Sequence, residues 1–241
     1  MNLPDILTDF IFPPVCLFCG KLLSLGTRPL FCESCNKRFN AFEGVCCRCG
    51  SSFVMKNGLP HCNTCRSARH PFDGVISSFF YSGGVRRAII EHKFDMNYNN
   101  APTLSEKLSE IIEDLFPNME QCLLIPVPSS RRRLHERGYD AVWEIAQEIS
   151  DNTDIPISTK LLKKRKDTPQ QSTLTLRHRL RNIHGSFAVS DKMSVKDKNI
   201  ILIDDVYTTG ATTRECAKVL KRNGAAYVMI ATVAISENFR R

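Results

Sequence analysis

Eight cysteines of this chain stand in four Cys-x-x-Cys pairs, and the pairs repeat. Cys16/Cys19 and Cys32/Cys35 recur thirty positions later as Cys46/Cys49 and Cys62/Cys65, with twelve residues between the pairs of each half. Such a repeat implies two copies of one small unit. Two thiolates in a Cys-x-x-Cys turn can grip one side of a tetrahedral ion, and a second turn completes a four-thiolate shell. The spacing therefore predicts two closed metal sites, with zinc as the natural ion. A closed shell keeps no coordination position for substrate, which makes these metals structural. Disulfides and an iron–sulfur cluster are the alternatives at this level, although nothing in the chain points to an oxidising compartment. Gly20 and Gly50 each follow the leading knuckle of a half, where the backbone must turn tightly around a metal. Cys47 is wedged inside a knuckle, and Cys122 and Cys216 read as small core residues. His61 and His70 flank the last knuckle; with eight thiolates available, neither is needed as a ligand.

At 241 residues the chain has room for one well-buried domain beside that module. Past Pro71 the knuckles stop and strand and helix patterns alternate. Strands are expected at 74–81 and 123–127, and helices at 85–92, 103–115 and 138–150. This order predicts an α/β fold, a mostly parallel sheet flanked by helices, behind a small N-terminal double zinc ribbon. The expected division is residues 1–70 for the N-terminal segment and ribbon and 71–241 for the α/β domain. Ile6, Leu7, Phe10 and Ile11 suggest a short amphipathic helix packing on its own protein. No stretch approaches the roughly 18 apolar residues of a membrane span, and the start carries acids where a secretory signal would be basic. A cytoplasmic chain without membrane insertion is the expectation.

The sixteen residues 200–215, IILIDDVYTTGATTRE, carry the chemistry. The unbroken apolar run 200–203 reads as a strand covered on both faces. Asp204 and Asp205 then fall at its carboxyl end, where open α/β sheets bind ligands. Thr208, Thr209, Gly210, Ala211, Thr212 and Thr213 offer small side chains, hydroxyls and a glycine, so that backbone N–H groups can close around an anion at the start of a helix. Cys216, Val219 and Leu220 line one face of that helix, and Gly224 stands at its C-terminal cap. A capping loop without a ligand would share these traits. No lysine follows the glycine as in a Walker A loop, which argues against that type of ATPase.

This segment resembles the phosphoribosyl pyrophosphate motif of type I phosphoribosyltransferases. The resemblance implies that Asp204 and Asp205 engage the ribose hydroxyls, as the catalytic acids, while residues 208–213 cradle the 5′-phosphate. Further stretches resemble the ComF family, competence-associated phosphoribosyltransferase-like proteins with an N-terminal double zinc ribbon. They are Pro126-Val127-Pro128 with Arg133 and Arg137-Gly138-Tyr139, and Thr168-Pro169-Gln170-Gln171 with Leu174, Arg179, Asn182, Gly185 and Phe187. Glu91-His92-Lys93-Phe94 is similar to a family stretch that usually continues to a glycine, near where Met96 stands here. The family's common Asn-Gln after Arg-Gly-aromatic is replaced by Asp140-Ala141. By the same resemblance Ser129, Ser130, Arg131, Arg132 and Arg133 contact pyrophosphate, with Mg2+ accompanying the ligand.

The net charge of +8 is unevenly spread. Between 160 and 187 stand Lys160, Lys163, Lys164, Arg165, Lys166, Arg177, Arg179 and Arg181 against one acid, Asp167. A second cluster is Arg131, Arg132, Arg133 and Arg137. Such runs suit a solvated face, pyrophosphate capture or a nucleic-acid backbone. The ComF resemblance implies a role in DNA uptake during natural transformation, with single-stranded DNA and a competence helicase as partners. The alternative is an active phosphoribosyltransferase on a nitrogenous acceptor, with no direct DNA role. His92, His135, His178 and His184 are all candidates for its base.

Overall fold

The computed structural model describes residues 9–10, 13–27, 30–41, 46–50, 62, 65, 69–94, 100–116, 121–166 and 183–236. Within the first half of the cysteine repeat, Cys32 is followed by a short helix, α1 (Glu33–Phe39). Beyond them the order is β1 (Gly74–Phe80), α2 (Gly83–Phe94), α3 (Asn100–Leu115), β2 (Cys122–Pro126), α4 (Arg131–Arg137) and α5 (Ala141–Thr153). It continues with β3 (Leu162–Lys164), β4 (Phe187–Val189), β5 (Asn199–Tyr207), α6 (Ala211–Arg222) and β6 (Tyr227–Ile235).

Four strands form a wholly parallel sheet in the order β1-β6-β5-β2. Its central strands are apolar on both sides because both faces are covered. Ile201 and Ile203 pack with Val142, Ile145 and Ile149 of α5 and with Leu104, Leu108 and Ile112 of α3. On the other face Ile200 and Leu202 pack with Cys216, Ala217 and Leu220 of α6. All four β5 residues are fully buried, each worth about 1.5–3 kcal/mol relative to exposure. Cys122 and Cys216 are buried as expected.

Several boundaries differ from the sequence reading. The helix expected at 138–150 begins at Ala141, because Gly138 has φ +76° and the Asp140 side chain caps the helix, accepting from the Val142 and Trp143 amides. The arginine cluster before it, for which no helix was expected, forms α4. A two-stranded antiparallel unit, β3-β4, lies between α5 and β5. Leu115, the last residue of the helix expected at 103–115, is exposed at the end of α3. The end of α6 does follow expectation: Gly224 takes φ +94°, and the Gly224 and Ala225 amides donate to the Lys221 and Leu220 carbonyls at 3.1 and 3.2 Å, a Schellman cap. Of the proposed amphipathic N-terminal set only Phe10 is among the described residues, and its side chain is exposed. No helix among the described residues is long and apolar enough to cross a membrane.

Candidate functional site

Strands β5 and β2 run side by side, with Ile203 opposite Pro126, yet the chain leaves them on opposite faces of the sheet. After β2 it enters α5 on one face, and after β5 it enters α6 on the other. In an open parallel sheet such a divergence, beyond the carboxyl ends of the strands, is the usual position of a ligand crevice. The acidic pair stands beside it. Rather than following β5, as the apolar run suggested, Asp204 and Asp205 lie inside it, because β6 continues to pair with the strand up to Tyr207 opposite Ile235. Neighbouring strand residues point to opposite faces, so Asp204 turns towards α6 and Asp205 towards α5. The electrostatics agree: burial and then the Asp204 charge push up the Cys216 thiol on α6, whereas Asp205 acts on Asp140 at the start of α5.

Asp205 is held by a lysine. Lys93 Nζ, from the end of α2, lies 2.6 Å from Asp205 Oδ2, with the two side chains only 18% and 14% exposed. Asp140 Oδ1 accepts from Ser129 Oγ at 3.0 Å as well as from the α5 amides. Desolvation raises the Asp140 carboxyl above its usual range, and the Asp205 charge adds to this. The two stretches that supply Lys93 and Asp140 lock together. His92 Nε2 donates to the Ala141 carbonyl at 3.1 Å, the Tyr139 hydroxyl donates to the His92 carbonyl, and the Arg137 guanidinium covers Phe94 at 4.5 Å. His92 is thus a fully buried structural residue rather than a candidate base. His135 is exposed on α4, His184 Nδ1 lies 3.4 Å from Glu215 Oε1, and His178 lies outside the described residues. Neither Lys93 nor Asp140 was assigned a role from sequence, although both stand in stretches that resembled a family pattern.

The loop after β5 delivers its glycine to the helix. Gly210 occupies the N-cap of α6 at φ +66°, and a Cβ there would lie 2.3 Å from the Tyr207 hydroxyl. Thr209 Oγ1 accepts from the Ala211 amide at 3.4 Å, and the Arg214 amide donates to the Gly210 carbonyl at 2.8 Å. Thr213 is buried and donates to the Gly210 carbonyl at 3.2 Å, so its hydroxyl serves the loop itself. Thr208 is exposed, and Thr209 and Thr212 are half-buried. The loop thus leads directly into the positive, N-terminal end of the α6 dipole. Ser129 lies on the loop after β2, and Arg131 and Arg133 are the first and third residues of α4. Residues 167–182, with Thr168, Gln170, Gln171, Leu174, Arg177, Arg179 and Arg181, lie outside the described residues. From the same basic stretch, Lys164 on β3 stands over the Phe187 ring of β4 at 5.9 Å.

The cysteine repeat closes into two tetrads, Cys16/Cys19/Cys32/Cys35 and Cys46/Cys49/Cys62/Cys65, each with its sulfurs within 4.8 Å of one another. The halves share equivalent internal contacts. Cys19–Cys32 and Cys49–Cys62 Sγ separations are both 3.8 Å, and the Cys32 and Cys62 amides donate to Cys16 and Cys46 Sγ at 3.3 and 3.2 Å. Gly20 and Gly50 take φ +76° and +75°, and both amides close the knuckle on a cysteine carbonyl at 2.7 Å. All these cysteines are free thiols. A tetrahedron with metal–sulfur bonds of about 2.3 Å has edges of about 3.8 Å, so the donor set fits zinc. Cys47 is exposed and outside both shells. His70 is not in a shell either; its Nε2 lies 3.2 Å from Cys65 Sγ.

Comparison with known proteins finds both parts. Residues 7–68 match the model of the double zinc ribbon domain, and residues 136–239 match that of the phosphoribosyl transferase domain. The chain is similar to competence protein F of Haemophilus influenzae, 27% identical over 219 residues that span 89% of this chain and 94% of that protein. It is 27% identical over 223 residues to the DNA utilization protein YhgH of Escherichia coli strain K12, covering 90% and 95%. With competence protein ComFC of Bacillus subtilis it shares 26% over 150 residues, covering 62% and 59%. A double zinc ribbon ahead of a phosphoribosyl transferase domain, in a chain aligned almost end to end with competence protein F, makes this protein similar to the competence F and YhgH proteins through both of its parts.

Proposed function

We propose that the crevice between β5 and β2 binds phosphoribosyl pyrophosphate or a related ribose phosphate with Mg2+, and that this binding serves DNA uptake in natural transformation. The carrying observation is the placement of Asp204 and Asp205 at the strand divergence, followed at once by the Gly210-capped start of α6. In this reading the two carboxylates take the ribose hydroxyls from opposite sides. Residues Thr208, Thr209, Gly210, Ala211, Thr212 and Thr213 surround the 5′-phosphate, and Ser129, Arg131 and Arg133 are assigned to the pyrophosphate. Carboxylates at 140, 204 and 205 are hard oxygen donors of the kind Mg2+ accepts. Bound there with the ligand, the ion would neutralise pyrophosphate charge.

Transfer is the second reading. Breakage of the bond to ribose C1 develops positive charge on that carbon, which Asp204 and Asp205 would stabilise electrostatically. Direct DNA contact has its own support, since Phe94 and Trp143 are 62% and 41% exposed and the Arg137 guanidinium lies 4.5 Å from the centre of the Phe94 ring. Exposed rings beside cations suit stacked bases and a phosphate backbone, and competence and DNA utilization are the roles in the relatives' names. A pyrophosphate-release assay across a panel of bases and amines, run beside single-stranded DNA binding at several salt concentrations, separates these. Turnover with any acceptor establishes an enzyme. DNA binding that falls steeply with salt, without turnover, establishes an adaptor.

A further inference from the structure

The two metal centres are alike internally but rest on different parts of the sheet domain. The first packs on β1 and α2: Phe18 meets Phe79 edge-on at 5.1 Å, and Arg87 Nη2 donates to the Phe18 carbonyl at 3.2 Å. The second reaches the loop between β5 and α6 along two routes. One runs through Tyr207. A Cβ on Gly50, in the second centre's leading knuckle, would lie 3.2 Å from Tyr207 Cε1 and 2.8 Å from Ile235 Cδ1. Tyr207 is in turn buried, with its hydroxyl against Gly210.

The other route is a chain of hydrogen bonds. Arg214 Nη1 lies 3.2 Å from His70 Nδ1, and His70 Nε2 lies 3.2 Å from Cys65 Sγ. Arginine can only donate, so Nδ1 accepts and the proton sits on Nε2, directed at the sulfur. The imidazole stacks on Phe72 at 5.2 Å, and the Arg214 guanidinium lies 5.3 Å from the centre of the same ring. Arg214 belongs to the first turn of α6, where its amide bonds the Gly210 carbonyl. Beside these contacts lies a cleft of about 720 Å3 whose lining includes His70 and Arg214 themselves, with Arg69, His184, Glu215 and Lys218. The ribbon and α6 are thus joined here by a few directed contacts, and His70 is central to them.

We infer that the second four-cysteine centre positions the loop 208–213, with His70 and Arg214 as the positioning residues that couple metal to loop. A hydrogen bond to a metal-bound thiolate fixes the ligand and its partner together; here the partner is the helix that the loop leads into. The consequence for ligand affinity rests on the reading of that loop as a phosphate cradle. The consequence for loop order does not.

The test therefore has two arms. His70→Phe keeps the stack on Phe72 and removes both nitrogens. With two zinc ions still present by metal analysis, hydrogen exchange of the 208–213 amides in the unliganded protein should quicken at least fivefold, with little change in the global unfolding midpoint. Affinity for phosphoribosyl pyrophosphate with Mg2+ should fall about tenfold. His70→Gln, which supplies one donor and one acceptor, should restore both. Arg214→Gln, one hydrogen bond further from Cys65 than His70 is, should reproduce the His70→Phe exchange and decides the matter if His70→Phe loses metal. Cys16→Ser, at the first centre, should leave loop exchange within twofold of the parent. Unchanged exchange in Arg214→Gln, or in zinc-loaded His70→Phe, overturns the inference. A parent protein that fails to bind phosphoribosyl pyrophosphate overturns the proposed ligand instead.

Discussion

Lys93 and Asp205 meet at 2.6 Å with most of both side chains withdrawn from water, so the end of α2 is tied to the last turn of the site strand. Removing the cation leaves a largely buried carboxylate without its partner. Lys93→Met should destabilise the protein by about 2 kcal/mol, below the full cost of breaking a wholly buried pair because some water reaches this one. Urea unfolding of Lys93→Met, Asp205→Asn and the double variant forms the cycle that isolates the pair. Additive losses would show that the contact contributes nothing by itself.

Asp140 provides a pH signature. Its carboxyl is raised above the usual range by desolvation and then by Asp205, so the folded state holds that proton more tightly than the unfolded one. The group's stabilising share is complete below the unfolded value and is lost as pH rises through the raised folded value. Asparagine caps helices as well as aspartate and can still accept from Ser129. Asp140→Asn should therefore raise the thermal midpoint at pH 7.5, and the gain should vanish as pH falls towards about 4. A gain that persists in acid would contradict this cause.

Gly210 is constrained by conformation and by space. Its φ of +66° is costly for any residue with a Cβ, and that atom would collide with the Tyr207 hydroxyl at 2.3 Å. Gly210→Ala should cost about 2–5 kcal/mol, the sum of a left-handed penalty and an overpacking penalty. Tyr207→Phe in the same chain should recover part of that loss by removing the oxygen. Equal midpoints for the single and double variants in denaturant would show that the clash is unimportant.

The tetrads predict metal content. Mass spectrometry of the purified chain should find two zinc ions, one for each set of four thiols, and Cys46→Ser should lower the count at its own centre. Iron with visible absorbance would contradict the assignment.

What was legible in the sequence is what local pattern encodes. The cysteine repeat, the apolar start of β5 and the glycine cap of α6 each depend on residues close in the chain. Pairing partners decided the rest. Asp204 and Asp205 fall inside β5 because β6 continues alongside, a fact carried by Ala234 and Ile235. A run of arginines has no apolar period by which α4 could be recognised, and three-residue strands such as β3 and β4 give no alternation to read. The Lys93 contact required α2 to return across the sheet to β5. The stretch Glu91-His92-Lys93-Phe94 was noticeable, but its ion-pair partner lay in another element.

Calorimetric titration of phosphoribosyl pyrophosphate with Mg2+ into the parent protein and into Asp204→Asn/Asp205→Asn tests the central claim most directly. The account predicts saturable binding to the parent and none to the double variant, which should remain folded and hold two zinc ions. Equal affinity in both proteins would contradict the assignment of the acidic pair to the ribose.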